Sequence, residues 1–132
     1  MITKPKEFRY AVEFDKESFR TEDDTRLDLP EAWSPEHLLL AALVRCSLHS
    51  LKYHAKHAEI QVSHARASAR ALATKRESDG RYAIVETELV LDIRLEPPPD
   101  PDRLAELLAN AERDCWVGAS LTAKPSYVWN VA

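Results

Sequence analysis

The stretch Ser34–Ser50, SPEHLLLAALVRCSLHS, is the most apolar segment of the chain and the one that most narrows its folding options. Ser34 has the chemistry of a helix N-cap, and Pro35 suits the first helical position, where its missing N–H costs nothing. Good helix formers continue to about His57. From Leu38 to Val44 apolar side chains surround the helix axis instead of forming a stripe, so this helix requires burial on most sides. Past Ser47 it turns amphipathic, with Leu48, Leu51 and Tyr53 facing inward. The run is far too short to span a bilayer. At 132 residues the chain has the length of a single domain with one core, spanning 1–132. One sheet is too little to cover such a helix, which points to a homodimer.

The rest of the chain supplies that sheet. FRYAVEFD alternates Phe8, Tyr10, Val12 and Phe14 with Arg9, Ala11 and Glu13, the period-two pattern of a strand with one buried face. SFRTEDDTRLDL reads as a second, polar strand ending near Leu29. EIQVSHARASARALATK alternates again, with Ile60, Val62, His64, Arg66, Ser68 and Arg70 on one face and Ala65, Ala67, Ala69 and Ala71 on the other. Asp79-Gly80 is a turn signal, and YAIVETELVLDIRLE is the return strand of a hairpin. The prolines of PPPD end the sheet segment. Asp100 caps a second helix with Pro101 at its first position, and Leu104, Leu107, Leu108, Ala111 and Cys115 recur on one face. CWVGASL is a break and restart, and SYVWNV a closing strand. The order β-β-α-β-β-α-β makes one α+β domain.

Charge and glycine content exclude several functions. A net charge of −4 with no basic stripe gives nucleic-acid binding little support. Only Gly80 and Gly118 occur, so no glycine-rich phosphate cradle exists. MITKPKEFRY lacks the apolar core of a signal peptide, which leads us to expect a cytoplasmic protein with no membrane partner.

Two cysteines in a reducing compartment leave three options: inert buried thiols, a weak metal site, or a redox pair. Cys46 is central in the first helix and Cys115 closes the buried face of the second. Both helices pack on one sheet, so the thiols are placed to meet. A reactive thiol must be a thiolate and needs a cation or hydrogen-bond donors beside it. His49, at i+3 from Cys46, is either a Cys–His partner or, as we prefer, a polar residue where the helix surfaces. His49, His54 and His57 lack acidic or thiol ligands in register, so we expect a solvated helix end and no metal. Glu36 precedes Cys46 by ten positions, roughly 15 Å along a helix. It cannot touch the Cys46 of its own helix.

SPEHLLLAALVRCSLHSL resembles the central-helix signature of the OsmC/Ohr family, the osmotically inducible and organic hydroperoxide resistance proteins. Pro35, Glu36, Leu38, Leu39, Ala41, Ala42 and Cys46 carry the likeness. AERDCWVGASL is similar to the family's second-cysteine segment at Ala111, Cys115, Val117 and Leu121. The resemblance covers essentially the whole chain. It implies an OsmC-like α+β fold, with antiparallel sheets around a buried central helix in an intertwined homodimer. It also implies thiol-dependent reduction of organic hydroperoxides to alcohols. Cys46 would be the peroxidatic thiolate and Cys115 the resolving thiol in a Cys46–Cys115 disulfide. Glu36 would hold an active-site arginine, Arg20 by position, with Arg26 as competitor. No bound cofactor is implied, only an external dithiol or lipoyl-type reductant. The chain departs from the family pattern at Trp116, where proline is common, at Gly118, where serine is frequent, and in the charged DKESFRTEDD around Arg20. The alternatives are a non-catalytic OsmC-like stress or small-molecule-binding protein, and a thiol redox sensor without turnover.

Overall fold

A computed structural model of the protein describes residues 3–132. They divide into two compact units, one ending at Ser34 and the other running Pro35–Ala132. The first holds a three-stranded antiparallel sheet of β1 (Val12–Asp15), β2 (Ser18–Thr21) and β3 (Arg26–Asp28), in that order. The second holds helix α1 (Pro35–His57), strands β4 (Gln61–Lys75) and β5 (Tyr82–Glu96), helices α2 (Pro101–Arg113) and α3 (Trp116–Ala119), and strand β6 (Ser126–Val131).

The first unit is more finely divided than its pattern suggests. The strand expected over Phe8–Asp15 is regular only from Val12, and Phe8, Tyr10, Val12 and Phe14 are exposed instead of forming a buried face. The expected polar strand is two strands. The β1–β2 turn is Lys16-Glu17, with φ of 49° and 66°, the doubly left-handed geometry of a two-residue hairpin loop. Asn-Gly is the usual signal for that turn, and here it is missing. Asp24, at φ 63°, makes the β2–β3 turn, closed by its N–H donating to the Thr21 carbonyl at 2.9 Å. Aspartate tolerates this region better than most residues.

In the second unit, α1 spans Pro35 to His57 as expected. Its end is a Schellman arrangement: Glu59 is left-handed at φ 58°, its N–H bonds the Lys56 carbonyl, and the Ile60 N–H bonds the Ala55 carbonyl at 2.8 Å. The paired apolar contact of that motif is met by Ile60 and Ala55, both buried. The β4–β5 hairpin turns at Gly80, whose φ of 70° suits a residue without Cβ. Asp100 caps α2, its Oδ1 accepting the Arg103 N–H at 2.9 Å.

Strand β5 is central, antiparallel to β4 and parallel to β6. The parallel pairing departs from the antiparallel arrangement expected. It follows from α2 and α3, which form the crossover that parallel neighbours need. On β5 the odd-numbered residues Leu89, Leu91, Ile93 and Leu95 face inward and are buried. A bulge between Val62 and His64 shifts the β4 register. Val62 therefore packs on the core, as Ala67 and Ala69 do, and leaves the face it was expected to share with His64. The core comprises Leu43, Leu51, Ala55 and Ile60 with the β5 residues, Leu107, Ala111 and Cys115. Burial of α1 is one-sided within the chain: Leu43, Ser47, Ser50, Leu51 and Ala55 are buried, while Ala41, Ala42 and, against expectation, Tyr53 on the outer face are exposed.

Candidate active site

The second unit brings the two thiols together although they lie far apart in sequence. Cys46 sits three turns inside α1, with Ser47 beside it facing the core. Cys115 sits in the short link where α2 stops and α3 starts. Asp114 caps α2 by donating its N–H to the Asn110 carbonyl, and Cys115 is the N-cap of α3. Two consecutive amides of α3 address the two sulfurs: the Val117 N–H donates to Cys46 Sγ at 3.5 Å and the Gly118 N–H to Cys115 Sγ at 3.4 Å. Cys46 is half-buried and Cys115 is fully buried, and both are free thiols.

The thiols interact. Burial pushes the Cys46 thiol up, the Val117 N–H pulls it down, and the Cys115 side chain raises it again through a hydrogen bond and its charge. Among the described residues, the largest influences on Cys46 are its burial, the Val117 and Trp116 backbone amides and the Cys115 thiol.

Around Cys115 stand two further polar groups that sequence reasoning missed. Ser47 Oγ lies 3.5 Å from Cys115 Sγ and 3.1 Å from Tyr127 Oη. Tyr127 reaches inward from β6, opposite Leu89 on β5, and stacks on Trp129 with ring centroids 5.8 Å apart. Burial pushes its hydroxyl up to about 12. The only available signal for these residues was that Ser47 follows Cys46 and falls on the inward face of α1. Gly118 stands against the same cluster. A Cβ there would meet Cys115 Sγ at 3.5 Å, Tyr127 Oη at 3.5 Å and Leu43 Cδ1 at 3.6 Å, ordinary contact distances.

Two polar bonds tie α1 to α2 next to the thiols. Ser50 Oγ donates to the Ala111 carbonyl at 2.8 Å, and His54 Nε2 lies 2.7 Å from Asp114 Oδ2. Arg113 also grips Asp114 through two bonds of 3.0 Å. These partners hold the Asp114 carboxyl at about 2, the arginine being the larger influence. His54 thus leaves the solvated helix end expected of it, because Asp114 is packed above it. His57 is exposed and bonds the Tyr53 carbonyl, and His49 is exposed. Among the described residues no three His, Cys, Asp or Glu side chains gather as a metal would require.

The other sequence-selected residues are divided between the two units. Glu36 is exposed in the first turn of α1, so it is not brought to the Cys46 of its own chain. Arg20 on β2 pairs with Asp24 at 3.5 Å, and Arg26 on β3 with Asp28 at 2.8 Å, both in the first unit. An open groove lined by Lys52, Lys56, Glu59, Ile60, Gln61, Val62 and Glu96 contains neither thiol. No helix among the described residues is long and apolar enough to cross a membrane.

A comparison with curated protein sequences gives no match. Solved structures share the fold. An OsmC-like protein from Mycoplasma pneumoniae superposes with a TM-score of 0.68 at 17% identity, covering 96% of each chain. An OsmC-like protein of unknown function from Vibrio cholerae gives 0.72 at 14% identity, over 97% of this chain and 100% of the other. The organic hydroperoxide resistance protein OhrB of Bacillus subtilis gives 0.60 at 18% identity, over 94% and 96%. The family model described as OsmC-like protein matches residues 28–130, a span that holds Glu36, Cys46 and Cys115 but neither Arg20 nor Arg26. With its sequence matched over most of its length and its fold shared, the chain belongs to the OsmC-like protein family.

Proposed function

We propose that this protein is a cysteine-based peroxidase that reduces organic hydroperoxides to alcohols. The observation that carries the reading is the meeting of Cys46, half-buried, with Cys115, fully buried, across α1 and the α2–α3 link. The more accessible sulfur is the one a substrate reaches. The Cys46 thiolate attacks the distal oxygen of ROOH, the O–O bond breaks, and the alkoxide leaves as alcohol after taking a proton. Cys46 becomes a sulfenic acid, oxidised by two electrons. Cys115 attacks that sulfur, water leaves, and a Cys46–Cys115 disulfide forms. An external dithiol, of lipoyl type, reduces it by exchange. Leu43, Val44 and Val117 make the surroundings apolar, which suits an alkyl hydroperoxide better than hydrogen peroxide. The names of related structures, organic hydroperoxide resistance proteins among them, support the same class.

Burial works against the thiolate, so the working site needs a cation beside Cys46. Arg20, with Arg26 as alternative, takes that role. Glu36 orients it through an Arg–carboxylate fork. Since Glu36 is remote from the Cys46 of its own helix, a second copy of the chain supplies one side of the site. The working protein in this reading is a cytoplasmic homodimer.

The test is hydroperoxide consumption driven by a dithiol, with cumene hydroperoxide compared with hydrogen peroxide. We expect preference for the organic substrate and loss of turnover in Cys46→Ser. Full activity in that variant refutes the mechanism. A second reading, a thiol sensor or non-catalytic family member, draws support from burial being the largest influence on Cys46, since burial disfavours the thiolate. One oxidation of Cys46 without turnover would select it.

A further inference from the structure

Cys115 is fully buried, yet two hydrogen-bonding groups stand at its sulfur and a third stands behind one of them. The Gly118 N–H donates to Sγ at 3.4 Å, Ser47 Oγ stands at 3.5 Å, and Ser47 Oγ in turn lies 3.1 Å from Tyr127 Oη. An inert buried thiol has no need of such company, since free cysteine packs as a small hydrophobe. Direction decides what the chain of hydroxyls does. The phenol, protonated throughout the physiological range, has a proton to give, and Ser47 Oγ is its partner. Once that oxygen accepts from Tyr127, the serine proton is free to point at Cys115 Sγ. Two donors then face the sulfur, one backbone and one side-chain, with Tyr127 setting the second. Tyr127 is itself held, by its stack on Trp129 and by the Trp129 Nε1 bond to Glu112 Oε2 at 2.9 Å.

We propose that Ser47 and Tyr127 are positioning residues for Cys115: the Tyr127–Ser47 relay, with the Gly118 amide, readies the Cys115 sulfur as the nucleophile that closes the disulfide to Cys46. This deepens the peroxidase reading and rests on its assignment of Cys115 as the resolving thiol. The step balances without a peroxide. When Cys46 carries any leaving group through a sulfur–sulfur bond, Cys115 attacks the Cys46 sulfur, the old bond breaks, and the leaving thiolate departs with the electron pair. The Cys115 proton goes to solvent. Charge-assisted hydrogen bonds to a thiolate favour the form that attacks.

The experiment uses the reduced full chain and the aromatic disulfide dithiobis-nitrobenzoate. Its first attack, at the more exposed Cys46, releases one thionitrobenzoate, and closure by Cys115 releases a second, both followed by absorbance. We expect Tyr127→Phe and Ser47→Ala to slow the second release about tenfold at neutral pH and to move its pH midpoint up by about one unit, the loss expected for one hydrogen bond to a charged group. The first release stays unchanged. Tyr127→Phe keeps the ring and its stack, so a midpoint that moves there reports the hydroxyl and not packing. An unmoved midpoint in Tyr127→Phe overturns the proposal, as does a wild type that never gives the second release. Failure of peroxide turnover with the second release intact sinks the peroxidase reading and leaves this one standing.

Discussion

Cys46 and Cys115 differ in which groups attend them. Cys46 is reached by solvent and receives the Val117 N–H; Cys115 is sealed and faces Gly118 N–H and the Ser47 hydroxyl. Burial pushes the Cys46 thiol up and so disfavours its thiolate within one chain. A guanidinium supplied in the proposed site reverses that sign, since an opposite charge close by favours the ionised form. Iodoacetamide alkylation of Cys46 followed against pH measures the balance. The wild type is expected to react with a midpoint lower than that of Arg20→Ala by about one unit or more. An unchanged midpoint in Arg20→Ala, with a shift in Arg26→Ala, transfers the role to the competitor.

Helix α1 is the element on which everything else is mounted. Its Leu43 and Leu51 share one buried cluster with the β5 residues Leu89, Leu91, Ile93 and Leu95, and it is tied to the α2 end through Ser50 and His54. Leu91, fully buried in the middle of β5, belongs to this contact layer. Leu91→Ala is expected to cost about 2–5 kcal/mol in chemical denaturation, from lost transfer energy and the cavity left behind. The α1–α2 tie has a pH signature. The Arg113 guanidinium, with His54, holds the Asp114 carboxyl at about 2 in the folded protein, below the ordinary carboxyl value of 3.8. A depressed carboxyl adds stability above its unfolded value and loses it as pH falls through the folded one. The acid limb of the stability curve between those two values is therefore expected to be shallower in Asp114→Asn than in the wild type, by thermal melts at fixed salt. The side chain is partly open to solvent, which screens the pair, so the change is small.

The apolar character of Leu38–Val44 exceeds what one chain covers. Ala41 and Ala42 remain exposed on α1, and the first unit presents Phe8, Tyr10, Val12 and Phe14 to solvent. Apolar surface of this kind on a small protein marks an interface, and a second copy is the occupant we propose. Sedimentation is expected to give the mass of two chains. Ala42→Glu, which adds a charge to that helix face, is expected to shift the mass toward one chain and to remove peroxidase turnover with it. Dimer mass retained in Ala42→Glu would show that this face is not the interface.

Elements whose cues are local were legible in the order of residues. Pro35 opens α1, Asp100 and Pro101 open α2, CWVGASL restarts as α3, and SYVWNV is β6. Each depends on caps, fixed φ values or side-chain period within a few residues. Lys16-Glu17 and Asp24 were missed as turns because residues without the usual preference hold positive φ there. The bulge at Val62/His64 was invisible, because a pleat repeats every two residues until one extra residue breaks its phase. Of the candidate site, the residue types were legible and Cys46 with Cys115 could be paired on paper. Ser47 and Tyr127 could not, since a serine on a helix and a tyrosine on the last strand share no local pattern. Packing of α2, α3 and β6 against α1 brings them to one sulfur. That packing is a non-local outcome of burying Leu43, Leu89, Leu107 and Ala111 together, and no short stretch of chain contains it.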